Sequence, residues 1–299
     1  MLCLGAGGGG DVVGALAVAE QARGLGTPSV LGGVTWERTP IDPLPGPRRL
    51  DELDGARRLN GATALAGPDT RGPGGFAFAE THVAELFGAD TLLVDPHPGP
   101  AAVAAGLVDA AARLDCDLLA LVDVGGDALA GGREPGLASP LCDAVLLAAG
   151  TLAADAGLAT LAVVVGPGCD GELTHDELLL ALAGIAAAGG LVGVRAVDPD
   201  SLPVLNAAAD VVPTEASAQV LRCVRGERGT ASIRGGRRPL ELSALGALVV
   251  YVEPRAAVSS VAALARAVRD RTSLDAANEA LHELGVRTEL DGERAGTGA

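Results

Sequence analysis

The stretch Met1-Leu2-Cys3-Leu4-Gly5-Ala6-Gly7-Gly8-Gly9-Gly10-Asp11-Val12-Val13-Gly14-Ala15-Leu16 decides the fold. A short apolar run, a glycine loop and a helix-forming segment follow in that order. This is the opening of a βαβ unit, with the loop placed where a ligand meets backbone N–H groups at a helix N-terminus. Each glycine loses more backbone entropy on folding than another residue would, so four in a row are costly for a plain turn. Gly7, Gly8, Gly9 and Gly10 are therefore read as a ligand loop. Asp11, at the helix start, is read as the group that holds a hydroxyl, an amine or a metal.

Outward from this loop, apolar runs alternate with helix-forming segments, the signature of a parallel sheet built from βαβ units. Strands are predicted at 2–4, 29–31, 91–94, 118–122, 159–165, 191–194 and 247–252. Helices are predicted at 11–24, 80–87, 100–114, 139–154, 174–188, 201–207, 215–224 and 273–284. Asp11, Ser139, Thr174 and Ser273 supply helix-capping side chains. The expected fold is α/β: a doubly wound, mostly parallel sheet with helices on both faces, a Rossmann-like three-layer sandwich. One domain is expected over 1–288, with a Pro/Gly-rich irregular excursion at 39–75 and a disordered tail at 289–299. The first strand is short for a central one, which leaves open whether its start is complete.

Composition narrows the chemistry. Among 299 residues, the 22 basic ones are all arginine, against 38 acidic ones, for a net charge of −16. Without lysine there is no Schiff-base lysine and no P-loop lysine. So acidic a chain is not expected to bind nucleic acid or an anionic membrane surface. Five cysteines without a C-x-x-C pair, and no signal-peptide pattern, point to the reducing cytoplasm.

Three acid groups follow predicted strands. Asp95 and His97, in Val94-Asp95-Pro96-His97, form a candidate acid/base pair at a strand end. Asp123 and Asp127 flank Gly125-Gly126, spaced to grip a hard divalent cation such as Mg or Mn. The third group, Asp170 and Glu172, is read first as helix capping ahead of Thr174 and second as joining the site, with His175 at the surface. Arginines 222, 225, 228, 234, 237 and 238 crowd one segment containing only Glu227 as a counter-charge. Of these, Arg225, Arg228, Arg234 and Arg238 are taken to hold an anionic substrate group. Glu37 and Arg38, Ser139, and Thr214, Glu215 and Ser217 are read as bordering the same crevice.

The glycine loop GGGGDVVGAL (7–16), GGVTWER (32–38), VDVGGD (122–127), SPLCDA (139–144), PTEAS (213–217) and RGERGTASIRGGRR (225–238) occur in order. Together they resemble the archaeal and actinobacterial family catalogued as domain of unknown function 1152, over roughly residues 5–253. The resemblance implies one domain whose polar motifs fall after strands, and it names no substrate.

The expected function is an enzyme acting on a small phosphorylated or carboxylated metabolite by acid/base or metal-assisted lyase or hydrolase chemistry. Asp11, Asp95, His97, Asp123 and Asp127 are its expected catalytic groups. A second reading is an NADP- or nucleotide-binding oxidoreductase using Gly5–Gly10, with Arg38 on a 2′-phosphate. It is weakened by Asp11 standing where a pyrophosphate would lie, and by the lack of an acidic ribose partner after the second strand. A third is a non-catalytic sensor or a homo-oligomeric scaffold, with the arginine segment as its interface.

Overall fold

The structure is a computed structural model describing residues 1–296. Its strands are β1 (Leu2–Gly5), β2 (Val30–Val34), β3 (Arg57–Arg58), β4 (Thr63–Ala66), β5 (Thr91–Val94) and β6 (Leu118–Val124), then β7 (Ala159–Val165), β8 (Leu191–Ala196), β9 (Gly229–Ile233), β10 (Arg238–Leu242) and β11 (Leu248–Val252). Its helices are α1 (Asp11–Gly24), α2 (Ala79–Phe87), α3 (Pro100–Arg113), α4 (Pro140–Asp155), α5 (His175–Ala187) and α6 (Leu202–Val211), then α7 (Glu215–Val224), α8 (Pro254–Ser260), α9 (Ala263–Val268), α10 (Leu274–Glu283) and α11 (Glu289–Arg294). No helix among the described residues is long and apolar enough to cross a membrane.

Nine strands form one sheet among the described residues, in the order β3-β4-β5-β2-β1-β6-β7-β11-β8. The pairs from β5 through β2, β1 and β6 to β7 are all parallel, while β4, β3, β11 and β8 add on antiparallel. Side chains of a strand alternate between the faces of its sheet, so a strand buried on both sides must be apolar throughout. The central strands are. Leu2, Leu4, Leu119 and Leu121 enter one core with α3, α4, α9 and α10. Cys3, Ala120, Val122 and Val124 enter a second core with α1, α6 and α7 on the other face. Two cores separated by a sheet are the three layers expected.

The chain runs from β1 through β2 to β5 on one side of β1, then crosses to β6 on the other. This reversal opens a crevice outside the carboxyl ends of β1 and β6, the place where doubly wound sheets bind ligands.

Two expectations are corrected and one unpredicted element is added. The 39–75 excursion is not irregular throughout: it contains β3 and β4, and β4 pairs with β5 to extend the main sheet. The arginine-rich segment contains an antiparallel hairpin, β9–β10. The tail is ordered from Glu289 to Arg294, with Glu289 and Leu290 buried, while 297–299 lie outside the described residues. The reason is electrostatic. Glu289 accepts the N–H groups of Leu141 at 3.0 Å and Cys142 at 2.9 Å, meeting the first turn of α4 with a negative charge where Ser139 makes no side-chain cap.

Candidate functional site

The crevice holds a cavity of about 590 Å³, lined by the glycine loop, the ends of β6 and β7, the start of α4, the start of α7 and the tip of the hairpin. Only glycine suits the loop. Gly8 takes φ +83°, and a Cβ there would meet the Trp36 carbonyl oxygen at 2.7 Å. At Gly7 a Cβ would lie 2.7 Å from Asp11 Oδ2 and 3.0 Å from Asp143 Oδ2. The missing side chain is what lets those two carboxylates approach each other.

Asp11 is at the first position of α1, where its Oδ2 accepts the Gly7 N–H at 2.9 Å. Asp123 ends β6 facing the cavity and accepts N–H groups from Gly126 at 3.3 Å and Ala128 at 3.0 Å. Asp143, on the first turn of α4, is 2 % exposed, and its Oδ1 has no hydrogen-bond partner. Asp11, Asp123 and Asp143 each offer an oxygen within 4.8 Å of the other two, and Asp127, Asp170 and Glu172 form a second such trio. Asp127 and Asp170 are each 7 % exposed, and Asp127 Oδ2 and both oxygens of Asp170 are likewise unpartnered.

Burying carboxylates beside one another disfavours their charged form. Burial first, and then the neighbouring carboxylates, push Asp11, Asp127, Asp143 and Asp170 well above the usual carboxylate range. Burial pushes Asp123 up to about 6, against the N–H groups that hold its charge. Burial pushes Glu37 up to about 7, opposed by the Ala79 N–H and the Arg38 guanidinium. Glu172 goes the other way. Burial works against its charge, but Arg238 at 2.7 Å, the Ser139 hydroxyl at 2.5 Å and the N–H groups of 138 and 139 hold it below that range.

The hairpin brings Arg234, Arg237 and Arg238 to the same cavity. Arg234 sits at the turn with φ 56°, and its Nε is buried without a partner. Arg38 lines the cavity but is largely committed: it stacks on Trp36 at 4.4 Å, donates to the Gly7 carbonyl at 3.0 Å and pairs with Glu293 at 3.2 Å.

The family model described as "Protein of unknown function (DUF1152)" matches residues 2–297. The chain belongs to the DUF1152 family. No curated protein and no solved structure matches it.

Of the residues singled out from the sequence of this DUF1152 protein, the cavity gathers Gly7 to Gly10, Asp11, Glu37, Arg38, Asp123, Asp127, Ser139, Thr214, Glu215, Arg234 and Arg238. Five lie elsewhere. Asp95 and His97 close a turn on themselves at the end of β5, Asp95 Oδ1 meeting the His97 ring at 2.7 Å and Oδ2 accepting the Leu50 N–H. Arg225 bonds Asn206 at the surface, and Arg228 is exposed before the hairpin begins. Ser217 is buried behind the loop, its hydroxyl donating to the Gly10 carbonyl at 3.2 Å.

Asp170 and Glu172 do not cap α5, because Thr174 does so with Glu177. Both line the cavity instead, the second of the two places that the sequence left open to them. Asp143 is an acid inside the otherwise apolar PLCDAVLLAAG of α4, which was its visible signal. Half-buried His175 is not fully at the surface, and its Nε2 is shut off from water.

Proposed function

We propose that this DUF1152 protein is an enzyme that uses a divalent cation to act on a small anionic metabolite by hydrolase or lyase chemistry. One observation carries the reading: a single cavity contains buried carboxylate oxygens without donors and a buried arginine N–H without an acceptor. Buried polar groups are almost always partnered, and leaving one unpartnered costs about 1–3 kcal/mol, more when it is charged. A cation would satisfy the first set and an anionic substrate group the second.

Asp11, Asp123 and Asp143 are the favoured cation ligands. All are oxygen donors, and among the described residues no histidine or cysteine lines the cavity, which suits Mg2+ or Mn2+ better than zinc. A bound cation would polarise a substrate oxygen or lower the pKa of a water. Glu37, on the cavity wall, is the group suited to take up or release a proton near neutrality. The dinucleotide reading is weaker, because Arg38 already serves two glutamates and Asp11 faces the loop where a pyrophosphate would sit. Five buried free thiols suit a reducing cytoplasm.

Thermal denaturation with and without Mn2+ or Mg2+ tests the reading. A cation at a hundredfold excess over its Kd adds about 2.7 kcal/mol, or roughly 4–5 °C in Tm for a chain of this size. An unshifted wild type, or an equal shift in Asp123→Asn, would show that the cavity is not a cation site.

A further inference from the structure

We infer that the acid wall takes two divalent cations side by side, and that the group they hold jointly is a phosphoryl group. This rests on the metal-assisted reading above and deepens it.

The charge pattern of the cavity asks for more than one cation. Its arginines are mostly matched to glutamates: Arg38 to Glu289 and Glu293, Arg238 to Glu172 and Arg234 to Glu215. Asp11, Asp123, Asp127, Asp143 and Asp170 all line the cavity, and among the described residues none of them has an arginine ion-pair partner. Deprotonated, as cation ligands are, the five carry five negative charges; one divalent cation offsets two of them, and two offset four.

Geometry divides the set in the same way. Asp11, Asp123 and Asp143 form one trio, with Asp11 and Asp143 meeting at Gly7, where no Cβ intrudes. The second trio holds most of the unpartnered oxygens, on Asp127 and Asp170. Both oxygens of Asp170 are buried, and the carboxylate packs over Gly125, at φ +125°, in space that a side chain there would take. Glu172, the third member, has each oxygen already accepting two donors, so Asp127 and Asp170 are the main ligands on this side. The Gly125-Gly126 turn joins the trios, because it lies between Asp123 of the first and Asp127 of the second, and both residues line the cavity.

Two adjacent cations favour a ligand that can bridge them and still offer further oxygens. A phosphoryl group has three terminal oxygens, enough for a bridge and an arginine contact, whereas a bridging carboxylate has none left over. The waiting donors are the unpartnered Nε of Arg234 and the guanidinium of Arg237, which has no acid partner among the described residues. A 590 Å³ cavity has room for a phosphorylated small molecule.

The test is Mn2+ titration of the full chain followed by electron paramagnetic resonance, with inorganic phosphate and acetate as probes. Two Mn2+ per chain with spin-coupled signals are expected, falling to one in Asp127→Asn/Asp170→Asn. Phosphate should bind at least about tenfold more tightly with Mn2+ present, and acetate should not. A wild type binding one Mn2+ would overturn the inference and leave the single-cation reading standing, while none at all would remove both. Two Mn2+ with phosphate affinity unchanged would overturn the phosphoryl assignment. The wild-type stoichiometry decides the matter even if the double variant fails to fold.

Discussion

β5 and β6 are consecutive parallel strands, both mainly apolar, and each has an aspartate at its carboxyl end: Asp95 just after β5 and Asp123 next to last in β6. Asp95 has its acceptors filled, by the N–H and ring of His97 two residues on and by the Leu50 N–H from the excursion folded over that end of the sheet. Asp123 lies beside the reversal between β1 and β6, where no connection crosses and four more aspartates converge. An acid at a strand end is thus two different things. Where local donors fill it, it stabilises a turn. Where the topology leaves the crevice open, it faces like charges and a ligand's place.

The same Asp→Asn change should act oppositely in the two regions, and the largest effect is expected at Asp143. An amide there removes a charge that burial and its neighbours Asp123 and Asp11 disfavour. The metal-free protein should therefore be as stable as wild type or about 1 kcal/mol more stable. Mn2+ affinity should fall about 100-fold or more, since loss of groups merely supporting a ligand already costs 10–100-fold. Calorimetric titration and urea denaturation on one preparation read both signs. A marked loss of metal-free stability would mean that Asp143 is a structural acid like Asp95.

Asp95→Asn, the counterpart, turns an amide N–H2 towards the His97 or Leu50 N–H and should cost about 1–3 kcal/mol of stability. Its Mn2+ affinity should match wild type. If cation binding fell with stability, the β5 turn would have to be coupled to the cavity, and the contrast between the regions would collapse.

These regions also mark what was legible in the sequence. Local signals carried well: α1, α7, β5 and β7 fall on the predicted residues because periodicity, apolar runs and flanking glycines are properties of the segment itself. The acid after an apolar strand is equally local, and so could not separate Asp95 from Asp123. That distinction depends on strand order, which only the crossover from β5 to β6 creates. The arginines failed for a related reason. The five residues of β9 lie between Arg228 and Arg234, and six steps at about 3.3 Å each set the two roughly 20 Å apart, so a cluster compact in sequence is divided in space. Glu289 was lost to a polar, Gly-rich tail whose order comes from the distant start of α4.

Glu37 stands between the two kinds of acid and gives the smallest expected effect. Its Oε1 accepts the Ala79 N–H at 2.6 Å, a filled position, while the residue also lines the cavity. Burial raises it to about 7 in the folded chain, with Asp42 adding and with Arg38 and the Ala79 N–H opposing. Behind it lies Glu80, wholly buried, both oxygens unpartnered and pushed further up by burial and by Glu37. The unfolded carboxyl titrates near about 4.3, so between there and about 7 the folded state binds the extra proton. The stability Glu37 contributes is therefore complete below about 4.3 and is lost as pH rises through about 7. Glu37→Gln keeps an acceptor for the Ala79 N–H but does not titrate. The drop in metal-free stability between about pH 5 and about pH 8 should be smaller in this variant than in wild type, by roughly 2–3 kcal/mol. Parallel curves for the two proteins would mean that the proton resides on Glu80 alone, leaving Glu37 a satisfied acid of the Asp95 kind.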